Sequence, residues 1–144
     1  MSKKNRFQII IWIVLAGSIM GIASIYYVFN KPRRDLSREN AAFSLQASQL
    51  ISDFKSDENS ATTKYLDKAI AVSGQIKNIR TLDNHSMVFS LEDAMEGVSC
   101  TVDSAETIRF ATKISELKIG ANAVFKGRCS GMLMDVQVIN CVPE

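Results

Sequence analysis

The chain has 144 residues, 47% of them hydrophobic and 22% charged, with a formal charge of +2, one His and three Cys. Six of its seventeen basic residues (Lys3, Lys4, Arg6, Lys31, Arg33, Arg34) flank one apolar stretch, so the part from position 35 onward sets eleven Lys and Arg against fifteen Asp and Glu, a net of −4. About 110 residues allow one small core and no more, and the mild acidity argues against a domain that holds nucleic acid by counterion release.

Residues 1–6 read as a basic tail. Residues 7–29, FQIIIWIVLAGSIMGIASIYYVF, carry no charge over 23 positions. At about 1.5 Å of rise per residue, a helix of that length covers a hydrocarbon core of roughly 30 Å, where a backbone has no partner but itself. The stretch predicts a single transmembrane helix. Lys and Arg favour the cytoplasmic side, but three stand before the span and three after it, so the positive-inside rule ties. A short basic tail running straight into an apolar stretch resembles an uncleaved signal anchor, which puts the C-terminal domain outside the cytoplasm (periplasmic or extracytoplasmic). A cleavable signal with its cut after Ala23 is the alternative; against it, the apolar run continues through Phe29. Tyr26, Tyr27 and, less well placed, Trp12 fit interfacial anchors.

Residues 30–43 form a polar juxtamembrane linker, and residues 44–144 form the domain. From 44 to 66, Ala47, Leu50, Ile51, Phe54, Ala61 and Tyr65 recur near helical spacing, with Ser48 as a candidate cap and a break near 56–60. Asp53, Asp57 and Glu58 between them fit a solvated helix face better than a cation site. The period then changes to two. Ile70, Val72, Gly74 and Ile76 give a first strand, Met87, Phe89 and Leu91 a second, and Val98, Cys100 and Val102 a third. Residues 105–117 return to helical spacing, with Ser104 as cap and Gly120 as exit. Alternation resumes through Ala123, Phe125, Gly127 and Cys129, and again through Val136 and Val138 to Cys141. The fold class is mainly β with helices: the transmembrane helix, an amphipathic helix, then a five-stranded OB-fold barrel with a helix between its third and fourth strands.

Phe54, Lys64, Tyr65 and Lys68, Val72 with Gly74, the run Gly97–Cys100 (GVSC), Gly120, then Gly127, Cys129 and Gly131, Asp135 with Val136, and Asn140 with Cys141 together resemble the bacterial tRNA-anti-like OB-fold proteins, some of which carry a membrane anchor. The resemblance covers roughly residues 44–142. It implies the barrel, and it implies no established substrate, cofactor or catalytic residue.

Candidate chemistry is sparse. Outside the cytoplasm three Cys permit at most one internal disulfide; Cys129 with Cys141 is the favoured pair, Cys100 is an alternative partner for Cys141, and three unbonded buried thiols remain open. No CxxC pair occurs and His85 sits in a turn, so no metal site is expected. His85 and Asp135 are better explained as turn residues than as catalysts, and the expectation is a protein that is not an enzyme and needs no cofactor. Lys77, Arg80, Lys126 and Arg128, on neighbouring first and fourth strands, form the best anionic-ligand patch, with outward polar strand residues as the plainer explanation. The preferred reading is a membrane-anchored, non-enzymatic binding module for an unknown protein or small ligand. The alternative is a membrane-tethered binder of single-stranded nucleic acid or nucleotides on the cytoplasmic side, disfavoured by charge.

Overall fold

The computed structural model describes residues 3–29 and 38–144, with side chains described over 12–27 and 38–144. The chain divides into two compact units, Met1–Arg34 and Asp35–Glu144.

The first unit is one helix, α1 (Lys3–Phe29). Residues 3–6 are part of this helix. Ser18 and Ser24 donate their hydroxyls back to the carbonyls of Val14 and Met20, both at 2.9 Å, so neither needs an outside partner. Among the described residues no helix is long and apolar enough to cross a membrane. The side chains described in α1 occupy positions 12–27, about 24 Å of rise against the roughly 30 Å of a bilayer core. The transmembrane helix expected over 7–29 is therefore not borne out; the side chains at 7–11, 28 and 29 and the linker residues 30–37 lie outside the described residues.

In the second unit the order is β1 (Phe43–Gln46), α2 (Ala47–Ser56), α3 (Glu58–Tyr65), β2 (Ala69–Thr81), β3 (Met87–Leu91), β4 (Val98–Val102), α4 (Ser104–Arg109), α5 (Ala111–Glu116), β5 (Asn122–Met132) and β6 (Val136–Pro143). The sheet runs β1-β2-β3-β4-β6-β5 and closes through β2–β5. The five expected strands thus form a closed OB-like barrel. β1 is an unforeseen addition, parallel to β2, with Phe43 beside Ile70 and Gln46 beside Ser73.

Alternation puts Ile70, Val72, Ile76, Phe89, Leu91, Val98, Cys100, Phe125, Cys129 and Val138 into the barrel, all buried. The Phe89 and Phe125 rings meet with centroids 4.8 Å apart. Each such side chain contributes roughly 1.5–3 kcal/mol on burial. The stripe Ala47, Leu50, Phe54 along α2, spaced three and four, joins the same core. α2 stops where Asp57 turns extended (φ −155°, ψ 95°), and Asp57 then caps α3 by accepting the Ser60 N–H at 3.1 Å. Ser48, the expected cap, lies inside α2. The helix expected over 105–117 is two single-turn pieces interrupted at Phe110.

Strand directions give the barrel two ends. The starts of β2, β4 and β6 and the ends of β3 and β5 share the end that carries the β5–β6 turn, termed here the hairpin end. The β2–β3 turn and the start of β5 lie at the opposite, far end.

Two of the motif glycines are glycines because a neighbour occupies the Cβ position. At Gly97 a Cβ would sit 2.1 Å from the Leu91 carbonyl oxygen, and at Gly127 it would sit 2.6 Å from Cys141 Sγ and 2.9 Å from the Ile139 carbonyl oxygen. Gly127→Ala is expected to destabilise the protein by about 1–3 kcal/mol, the usual range for overpacking, as measured by urea denaturation; an unchanged midpoint would contradict this packing.

The α2–α3 pair is clasped by Asp53. Tyr65 donates its hydroxyl to Asp53 Oδ2 at 2.6 Å, Gln49 its amide to Oδ1 at 2.7 Å, and Lys64 Nζ stands 3.5 Å away. The Tyr65 hydroxyl first, then Gln49 and Lys64, hold the Asp53 carboxyl below its ordinary value, while burial, and then the Asp53 hydrogen bond, push the Tyr65 phenol up. A lowered acid stabilises above its unfolded pKa and a raised phenol below its own, so the clasp is intact between about pH 4 and about pH 10 and is lost outside that window. Tyr65→Phe should cost about 1–2 kcal/mol at neutral pH and flatten the loss of stability below pH ~4, both read from urea titrations at several pH values.

Candidate binding surfaces

The four expected basic residues are not brought together. Lys126 and Arg128 lie on β5 opposite Ala71 and Ala69, whereas Lys77 and Arg80 follow on the later half of β2, which pairs with β3. Six residues of strand separate Ala71 from Lys77, a contour of about 20 Å. Lys126 is drawn in: its side chain is 11% exposed and its ammonium lies 2.8 Å from Glu144 Oε1. Arg128 has its Nε buried without a hydrogen bond, the Asp67 carboxylate standing 4.0 Å away. Lys77 donates to Gln75 Oε1 at 2.5 Å, and Arg80 is exposed. The patch therefore divides into an outward pair on β2 and a pair on β5 whose charge faces carboxylates.

The outer face of β2, β3, β4 and β6 is where OB barrels commonly hold ligands. Pairing lines up Asn78, Ser90, Ser99 and Gln137 across it, with Arg80, Val88 and Thr101 in the next row. Ser90 and Ser99 are buried. Ser99 donates its hydroxyl to Asp135, which also accepts the Gln137 amide. Asp135 thus ties β4 to the start of β6. These rows hold hydroxyls, amides, Val88 and one Arg, and Phe89, the aromatic of these strands, faces the core.

A trough opens instead on the outer side of β1, β2 and β5. A cavity of about 510 Å³ lies among Gln46, Ser73, Glu92, Asn122, Val124 and Glu144, and a second of about 340 Å³ adjoins it through Gln46, Ser73, Val124 and Glu144. Its polar lining is amide, hydroxyl and carboxylate. Sequence reasoning missed it: no residue here carries a distinctive type, and only the parallel addition of β1 places Gln46 beside Ser73.

The cysteines are three free, buried thiols. The favoured Cys129–Cys141 pair is corrected by register. Cys129 lies opposite Val138, three residues before Cys141, about 10 Å along the strand, whereas a disulfide needs Cα atoms within about 7 Å. Cys141 lies against Gly127 and donates to the Val138 carbonyl at 3.3 Å. Burial first, then the neighbouring Cys100 thiol, raise the Cys141 pKa well above the ordinary value, and burial raises that of Cys129. His85 adopts φ 63° in the β2–β3 turn. Among the described residues no three His, Cys, Asp or Glu side chains are grouped to hold a metal ion.

A family model described as tRNA_anti-like matches residues 1–142. The chain belongs to the tRNA_anti-like family. No curated protein matches the chain. Among solved structures, a Klebsiella pneumoniae protein named as a "putative nucleic acid-binding lipoprotein" is similar, with a TM-score of 0.55 and 18% identity over 79% of this chain and 99% of that one. Weaker likenesses are the Stn1–Ten1 complex of S. pombe (TM-score 0.42, 13% identity, 53% of this chain and 57% of that one) and a "putative aspartyl-tRNA synthetase" of Leishmania major (TM-score 0.47, 9% identity, 88% and 26%). At 18% identity the likeness to the Klebsiella pneumoniae protein is one of fold.

Native protein should leave all three thiols unreacted with iodoacetamide near pH 8, and unfolding without reductant should expose three. Recovery of one thiol on unfolding would reinstate a disulfide.

Proposed function

We propose that this member of the tRNA_anti-like family is a membrane-anchored, extracytoplasmic binding module that does no chemistry of its own. The observation that carries the binding half is the trough of about 510 Å³. Its amides, hydroxyls and the Glu92 and Glu144 side chains suit a neutral or cationic hydrogen-bonding ligand, such as a peptide or a small polar molecule, and repel a polyanion. The anchoring half rests on 23 uncharged positions, the helicity of 3–29, the exposure of apolar side chains such as Trp12, Ile19 and Ile22, which water would not tolerate as a continuous surface, and hydroxyls satisfied inside the helix. The Klebsiella pneumoniae protein of the same fold is named as a lipoprotein, another route to a membrane tether.

A second reading, a tethered binder of single-stranded nucleic acid on the cytoplasmic side, draws on the naming of that same protein and on Lys77 and Arg80 at the outer face of β2. Protease added to spheroplasts with an intact cytoplasmic membrane separates the two. The first reading expects the domain to be cleaved from outside, and protection until lysis overturns it. Protection together with oligonucleotide binding by the full chain, falling steeply with salt and weakened in the Lys77→Glu, Arg80→Glu double variant, would establish the second.

A further inference from the structure

Large apolar side chains gather at the hairpin end. Leu133 is 86% and Met134 71% exposed in the β5–β6 turn, with Met132 half-packed behind them. Leu66, 39% exposed, flanks the turn, its Cδ1 3.8 Å from where a Cβ on Gly131 would be. Met95 is exposed in the β3–β4 loop at the same end, which reaches β6 through the Val136 N–H to the Gly97 carbonyl. Elsewhere in the domain the exposed large apolar side chains are Leu82 in the β2–β3 turn, Ile108, Ile119 and Val124, no two of them adjacent in sequence. A tip of adjacent Leu and Met backed by a third apolar residue is an interaction surface, and the question is with what.

The way the chain enters the domain answers it. Ala42 donates its N–H to the Ala69 carbonyl at 2.7 Å, the Phe43 ring meets Tyr65 edge-on at 5.2 Å, and the Lys68 ammonium lies 5.5 Å from the Phe43 centroid. The first residues of the domain are thus seated beside Leu66, at the end that carries the tip. Thirteen residues separate Phe29 from Phe43, which bounds the reach at about 45 Å. A domain tethered this closely meets the bilayer at an effective concentration of the order of millimolar, enough to populate a contact too weak to bind free protein. Most cations near the tip face carboxylates: Lys64 faces Asp53, Lys55 pairs with Glu96 at 2.8 Å and Arg128 stands near Asp67, while Lys68 is exposed beside the Phe43 ring. This end therefore offers a bilayer apolar groups without a field of one sign.

Resting on the anchored reading, we infer that Leu133 and Met134, flanked by Leu66, dock into the headgroup–acyl boundary of the bilayer that holds α1, which turns the far end of the barrel away from the membrane. Because the contact is apolar, it is independent of anionic lipid.

The test uses the full chain in phosphatidylcholine vesicles, with bimane on Leu133→Cys or, at the far end, on Asp83→Cys; both sites are exposed and the native thiols are buried. Lipids brominated on their acyl chains should quench the Leu133→Cys label about twofold or more beyond the Asp83→Cys label, as expected of a group about 5–10 Å into the interface, with and without phosphatidylglycerol. If the chain floats with vesicles but the two labels quench alike, anchoring stands and docking fails. A tip shielded from aqueous iodide yet not quenched by brominated lipid is covered by protein, which also overturns docking. If the chain does not float with vesicles, anchoring and docking fall together.

Discussion

Closure of the barrel depends on β2 changing partners part-way along its length. Its first half, Ala69–Gln75, lies against β5 on one side, with β1 against Ile70–Ser73 on the other; from Ile76 to Thr81 it pairs with β3. Between β1 and β3 the edge of β2 has no strand beside it. Glu92 fills part of that gap, donating its N–H to the Gln75 carbonyl and accepting the Gln75 N–H on its carboxylate. Gly74 permits the arrangement because a Cβ there would press on Ala47 at 3.0 Å and Leu91 at 3.3 Å. The gap is also where the trough opens, so the device that closes the barrel also creates a recess of about 510 Å³.

Charge is largely spent within the domain. Lys126 with Glu144, Lys55 with Glu96, Lys64 with Asp53 and Arg109 with Glu106 are ion pairs. Exposed pairs of this kind add little stability. They do remove cations from the set that could neutralise phosphates, and the exposed Lys68, Lys77, Arg80, Lys113 and Lys118 are dispersed over the domain's elements. An OB barrel that grips single strands combines a basic groove with stacked aromatics; here Phe89 and Phe125 stack on each other inside the barrel. The family name and the fold neighbours describe a scaffold, and on a shared scaffold function follows the side chains.

The placement of polar and apolar features gives the domain a direction. The apolar tip, Leu66 and the first residues of the domain share the hairpin end, while the β2–β3 turn with Asp83, Asn84 and His85 occupies the other. The trough runs up the outer side between them, beside the short edge strand β1.

Period-two alternation in Ile70–Ile76, Met87–Leu91, Val98–Val102, Ala123–Cys129 and Val136–Val138 determined all five barrel strands, because only one face of each is buried and a slip by one residue would expose it. Gly97 and Gly127 were legible as structural positions, although the atoms that forbid a Cβ, the Leu91 carbonyl and the Cys141 sulfur, come from distant parts of the chain. Phe43–Gln46 also alternates, but four residues running into Ala47 and Leu50 match the start of a helix equally well; the backbone groups of Ile70–Ser73 left open by β3 decided for a strand. Basic residues at 77, 80, 126 and 128 fall on two neighbouring strands, which says nothing about distance along a strand or about the carboxylates of Asp67 and Glu144 that meet two of them. The same holds for Cys129 and Cys141, which neighbour each other in β5 and β6 but are offset by three residues in register. Sequence by itself determined which faces are buried, since burial follows local period; which side chains meet across those faces was decided only by the tertiary structure, since register and closure are set by the packing of the whole barrel.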